Sequence, residues 1–153
     1  MIGNGRKEIF FLCLLHYNDT CKENQQFTGG EHRVVKLNIQ TAELALREAS
    51  EANPGAWADH SRFVAKACKN IASHCKDLSS EQAYIFGLLH DIGRYAGVSS
   101  ERHLIDGYRY CMERGWEKAA QICISHAFMI QDIATSIGVF DVSDEDYLFM
   151  KEF

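Results

Sequence analysis

The sequence predicts an all-α domain, a bundle of about five to six helices, on three observations. From Asn38 onward apolar residues recur at helical spacing. Between these runs stand helix stops and starts: Asn53-Pro54-Gly55, Ser79-Ser80-Glu81-Gln82, Gly115 and Ser143-Asp144-Glu145-Asp146. The chain carries no strand-like alternation of useful length, no internal repeat and no low-complexity segment.

The elements follow in order. Ile39 to Ala52 is rich in Ala, Glu and Leu, with apolar residues at 39, 42, 44, 45 and 49, and reads as an amphipathic helix. A second helix spans about Trp57 to Cys75, with Phe63, Val64, Ala67, Cys68, Ile71, Ala72 and Cys75 as its apolar stripe. His60 falls one turn before Phe63 and Val64, so it is expected to point inward. Ser79 to Gln82 is a capping-box pattern that opens a third helix, burying Ala83, Ile85, Phe86 and Leu89 and ending near Gly93. A fourth begins at Ser99-Ser100-Glu101 and stops at Gly115, a good residue for the position just past a helix end. In it, the small Gly107 one turn after His103 permits close approach of a neighbouring backbone. The fifth runs from Trp116 to about Ala127. Residues 128–142 form a less regular connection, and Ser143 caps a sixth helix bearing Tyr147, Leu148, Phe149 and Phe153.

A chain of 153 residues is one domain by default, with 46% hydrophobic and 24% charged residues and a single proline. Its net charge of −5 gives no electrostatic reason to expect a nucleic-acid polymer or an anionic membrane as partner. Six cysteines without a CxxC pair or framework spacing fit a reduced, cytoplasmic protein. Residues 1–34 fit the domain badly. The run Ile9–Leu15 after Arg6-Lys7 is too short to span a bilayer, and no small-residue cleavage site follows it. Thr28-Gly29-Gly30-Glu31 is what a translated purine-rich ribosome-binding site would give, so the native start is expected at Val34 or Val35 of a bacterial protein. The helical domain is thus placed at 35–153, with 1–34 an extension.

The chemistry concentrates at His90-Asp91, at the end of the apolar run Ala83–Leu89 and before Ile92-Gly93-Arg94. Burying two titratable groups costs about 2–7 kcal/mol for each left unpaired. A divalent metal ion would pair both at once, since neutral imidazole and ionised carboxylate are both good ligands. His60 upstream and His103 and His126 downstream each stand on a separate predicted helix. An isolated helical histidine is ordinarily satisfied by a carbonyl or water, but several helices each delivering one inward is how all-α folds build metal sites. His74, His16 and His32 are assigned no role.

The string Gly87-Leu88-Leu89-His90-Asp91-Ile92-Gly93-Arg94 resembles the HD superfamily of metal-dependent phosphohydrolases, nearest the small stand-alone bacterial proteins with the His-Asp-Ile-Gly form. Trp57, His60-Ser61, Val64-Ala65, His103 four before Gly107, and Ile124-Ser125-His126 are similar too, and the likeness spans about residues 38–150. The resemblance implies an HD-like bundle in which His60, His90 and Asp91 hold a first metal. It further implies that His103 and His126 hold a second, with Asp91 bridging. The family pattern closes with a further Asp on a later helix. Asp132, Asp141, Asp144 and Asp146 lie too early for it, so a C-terminally truncated chain is expected.

Imidazole and carboxylate ligands suit Fe, Mn, Co, Ni or Zn better than Mg²⁺. The predicted reaction is hydrolysis of a phosphoester or phosphoanhydride of a small, nucleotide-like substrate by metal-activated water, with one or two ions. Asp91 and Arg94 are the catalytic candidates, Arg94 as a fork for a phosphate oxygen, with Arg102 and Arg109 behind it. Tyr95, Tyr108 and Tyr110 either wall a base pocket or belong to the core. Two other classes stand open: a di-iron oxygenase of HD type, and a non-catalytic remnant that binds metal or nucleotide. A homodimer is a candidate assembly.

Overall fold

The structure, a computed structural model, describes residues 35–127, 132–136 and 138–152. Residues 1–34, with His16 and His32, lie outside the described residues, as does Phe153; of the two expected native starts, Val34 lies outside and Val35 is the first described residue. Among the described residues there are six α-helices and no strand: α1 (Ile39–Ala52), α2 (Ala56–Ala72), α3 (Ser80–Leu89), α4 (Arg102–Met112), α5 (Glu117–Ser125) and α6 (Asp144–Lys151). Short 3-10 turns cover Ile92–Ala96 and Ile133–Thr135. No helix among them is long and apolar enough to cross a membrane.

Local chemistry sets the helix starts. Asn38 and Thr41 cap α1 reciprocally, the Asn38 carboxamide accepting from Thr41 N at 2.9 Å and the Thr41 hydroxyl from Asn38 N at 2.8 Å. Ser79 accepts from Gln82 N to open α3, and Ser143 from Asp146 N to open α6. The expected helix at Ser99-Ser100-Glu101 begins later, at Arg102, because its cap comes from elsewhere in the chain. The Asp141 carboxylate accepts from the backbone N–H groups of Ser100, at 3.0 Å, and Arg102, at 2.7 Å. Glu101 N donating to Val139 O and Val139 N donating to the Ser100 hydroxyl complete the strap. Beyond α4, Gly115 adopts φ +71°, the left-handed turn that favours glycine.

The core divides among three clusters, the smallest being Cys68, Ala72 and Ala83 where α2 meets α3. Leu46, Leu88, Leu89 and Ile92 join α1, α3 and the Ile92–Ala96 turn to Cys111, Trp116 and Cys123. Each of those aliphatic side chains contributes about 1.5–3 kcal/mol by leaving water. Leu104, Ile105, Ile124 and Ile133 receive Met150 of α6 in a second cluster, so α6 docks through Met150 and Tyr147 while Leu148 stays exposed.

The face of α2 differs from expectation. Its buried stripe is Ala58, Ser61, Ala65, Cys68 and Ala72, whereas Phe63 is 70% exposed. The reason is distance. A Cβ built on Gly87 of α3 would lie 2.5 Å from Ala65 Cα, so the two helices meet backbone to backbone and admit small side chains alone. The α-helix also stops at Ala72 rather than Cys75, and α3 at Leu89 rather than Gly93.

Candidate metal centre

Two close approaches gather the site. The Gly87–Ala65 contact brings α2 against the end of α3. A Cβ on Gly93 would collide with His103 O and Gly107 N, so the turn after Asp91 lies directly on the backbone of α4. Gly107 gives the close approach that its spacing implied.

His90 caps the C-terminus of α3, with Asp91 next to it, and both are buried. His103 stands in the first turn of α4 and is buried, and His126, half-buried, caps the C-terminus of α5. His60 differs from expectation: it is exposed rather than inward-pointing, because the rotated face of α2 leaves it at the rim. Its ring is nonetheless 5.3 Å from that of His90, centroid to centroid. The His90–His126 and His103–His126 rings lie 4.9 and 5.6 Å apart.

Asp91 is the hub. Its Oδ1 is 3.2 Å from His103 Nε2 and 3.3 Å from His126 Nε2, and its Oδ2 is 3.7 Å from His90 Nε2. His60, His90 and Asp91 form one group whose potential ligand atoms lie within 4.8 Å of one another; Asp91, His103 and His126 form a second. The buried His/Asp cluster can therefore hold a metal ion, with one carboxylate common to both groups.

The three hub histidines share one feature. Each places Nδ1 on the carbonyl three residues earlier: His90 on Gly87 O at 2.8 Å, His103 on Ser100 O, and His126 on Cys123 O at 3.0 Å. With Nδ1–H donating to these carbonyls, each Nε2 faces the Asp91 carboxylate, and in a neutral ring that Nε2 is a lone pair. An acceptor facing an acceptor requires a cation between them, either a proton on each ring or one shared ion. Burial, with the charge of His126 second, pushes the His90 imidazole down to about 3, so that ring stays neutral. Burial alone would raise the Asp91 carboxyl, but hydrogen bonds from His103 and His126 and the nearby imidazoles hold it well below the usual carboxylate range. Imidazoles fixed through Nδ1, with Nε2 turned toward an ionised carboxylate, are the donor set of a divalent transition metal, oriented by backbone carbonyls.

Arg94 already serves this carboxylate. Its Nε donates to Asp91 Oδ2 at 3.1 Å, and its Nη2 lies 3.4 Å from His103 Nε2. Its carbonyl accepts from Asn53 Nδ2 at 2.6 Å, a tie to the α1–α2 corner that sequence reading missed for want of any local signal. The other cations are engaged elsewhere: Arg102 pairs with Asp106 at 3.2 Å, and Arg109 with Asp146. Tyr110 packs between Tyr95 and Trp116, and Tyr108 against Phe149, which places these rings in the core rather than around a pocket. His74 is exposed, with Nδ1 on Asn70 O.

The later aspartates have other employment too. Asp132 caps its own 3-10 turn, Asp141 caps α4 and Asp146 holds Arg109. Among the described residues, Asp91 is the carboxylate of both candidate groups.

Compared with known proteins, residues 33–118 match the HDOD domain, which is HD-like. No curated protein and no solved structure matches the chain. The matched span contains His60, His90, Asp91, Arg94 and His103, while His126 lies beyond it.

Proposed function

The chain belongs to the HDOD domain family, and on that premise we propose that it is a metal-dependent phosphohydrolase acting on a small, nucleotide-like phosphoester or phosphoanhydride. The carrying observation is the aim of three Nε2 atoms at one buried carboxylate, each fixed from behind by a backbone carbonyl. In this reading His60, His90 and Asp91 hold one ion, and Asp91, His103 and His126 a second. When bound, a divalent ion such as Fe, Mn, Co, Ni or Zn supplies Lewis acidity toward a phosphoryl oxygen and toward water.

The chain's own residues do the rest. Asp91 turns Oδ2 toward His90 and Oδ1 toward His103 and His126, and its carboxyl lies well below the usual range, so it stays ionised. His60, exposed at the rim, is the ligand nearest incoming substrate. Arg94, part-exposed beside Asp91 Oδ2, would offer the free edge of its guanidinium to a non-bridging phosphate oxygen of bound substrate.

The test is metal analysis of freshly purified protein, followed by phosphate release from nucleotides with Mn²⁺, Fe²⁺, Co²⁺ or Ni²⁺. At least one equivalent of metal and metal-dependent release are expected, and His90→Ala and Asp91→Ala should lose both while remaining helical. Activity retained in either variant would sink the assignment. An iron-dependent spectrum without phosphate release would point instead to the oxygenase.

A second reading has its own observation. HDOD proteins are often non-catalytic, and the Arg94 guanidinium already neutralises Asp91. Under that reading Arg94 is the resident cation and the domain binds without turnover. Metal content well below one equivalent in protein of full helicity would favour it.

A further inference from the structure

Residues of α1, α2 and α3, none of them a histidine, line a cleft of about 550 Å³, inside the roughly 300–1,000 Å³ typical of small-molecule sites. Arg47 of α1 and Arg62 and Lys66 of α2 line it, with Tyr84 and Leu88 of α3 and Glu43 of α1. These cations gather in a chain whose net charge is −5. Arg62 shares an exposed pair with Asp59 at 3.0 Å, a contact worth little and easily exchanged for a stronger anion. Lys66 lies 5.8 Å over the exposed ring of Phe63. Glu43 faces the same space, its carboxylate accepting from the Tyr84 hydroxyl at 2.8 Å.

Both signs in one cleft restrict the occupant. Three cations suit a di- or triphosphate, two of them through bidentate forks. The ring of Tyr84 and the exposed side chain of Leu44 suit a flat apolar body. Glu43 suits a ligand that brings N–H or O–H donors, as an exocyclic amine or a sugar does, and would repel an acidic peptide lying along the same groove. We propose that the α1–α2–α3 cleft is a second ligand site, separate from the histidine cluster, that takes a nucleoside di- or triphosphate.

The experiment titrates the full chain, as purified, with a fluorescent mant-labelled guanosine diphosphate, and repeats this in His90→Ala, where the histidine cluster is disabled. One saturable site that persists in His90→Ala is expected. Arg47→Glu combined with Lys66→Glu should lower its affinity more than tenfold, and pyrophosphate and guanosine should each compete more weakly than the unlabelled diphosphate. If circular dichroism shows the charge reversal to be misfolded, Arg47→Gln with Lys66→Gln replaces it, with at least a threefold loss expected. The proposal falls if no saturable binding occurs, or if folded cleft variants bind as tightly as the parent chain. Binding lost in His90→Ala but kept in the cleft variants would move the nucleotide to the histidine cluster, overturning this inference while supporting the proposed phosphohydrolase. Equal competition by pyrophosphate would reduce the cleft to a bare polyanion site, and stronger competition by an acidic helical peptide would make it a protein groove; either overturns the assignment.

Discussion

Arg94 Nε donates to Asp91 Oδ2 at 3.1 Å, on the same carboxylate whose other oxygen faces His103 and His126. A fixed guanidinium this close to the candidate ligand sphere opposes the entry of a divalent ion and attracts an anionic substrate. Arg94→Gln should therefore bind Mn²⁺ about tenfold more tightly, through relief of like-charge repulsion. It should also hydrolyse substrate about 100-fold more slowly, through loss of a donor to the transferring phosphoryl group. Metal titration and phosphate release on the same preparation check both. Weaker metal binding in the variant would show that Arg94 positions Asp91 rather than competing for it.

His90 gives the pH dependence. Its imidazole is pushed down to about 3 by burial, against an ordinary value of 6.5. Between these values the unfolded chain binds more protons than the folded one, so stability falls as pH drops. Asp91 is ionised in both states above about pH 5 and adds no slope there. Metal-free protein should lose about 1–2 kcal/mol between pH 7 and pH 5, measured by urea unfolding. His90→Ala should flatten that slope. An equal slope in the variant would mean that another group titrates.

At Gly87 packing and site coincide. A methyl group here would meet Ala65 Cα at 2.5 Å, backbone that cannot turn aside. Gly87→Ala should cost about 1–3 kcal/mol by overpacking and, by forcing α2 from α3, separate His60 from His90. Metal affinity should then fall more than stability alone explains. Gly97 is the control: its φ of +123° strains any side chain, but nothing lies within 4 Å. Gly97→Ala should thus lower the urea midpoint while leaving metal affinity unchanged.

The Asp141 strap makes a separate prediction. Removing both hydrogen bonds to the first turn of α4 with Asp141→Ala should cost about 1 kcal/mol. Backbone N–H groups of Arg102 and Ser100 outweigh a small burial penalty to hold this carboxyl below its usual range. The stabilisation is complete above the unfolded value near 3.8 and is lost as pH falls through the lower folded value. Hydrogen exchange at Ser100 and Arg102 should quicken in the variant, with His103 following because Ser100 O holds its Nδ1.

The sequence made some of this architecture plain and concealed the rest for physical reasons. Helix α1 matches its expected bounds because its periodicity and the Asn53-Pro54-Gly55 break agree. Ser79 and Ser143 announce α3 and α6 because caps act within four residues. The face of α2 departs from the sequence expectation because large apolar residues suggest burial, whereas the Gly87 contact selects small ones. That rotation is also why His60 lies at the rim. The cap of α4 was invisible because its donor of charge lies 39 residues away from Arg102. The histidines and Asp91 could be named from the sequence, but the carbonyls that hold their rings belong to the backbone and leave no residue signature.

His60, His90, His103 and His126 come from α2 and from the ends of α3, α4 and α5. Four segments distant along the chain thus meet at one point, like spokes without a rivet. A bound ion would act as that rivet, tying α2, which meets α3 through Ala65 and Gly87, to the ends of α3, α4 and α5. Heating should then release the spokes together in loaded protein and in stages once a chelator has stripped it.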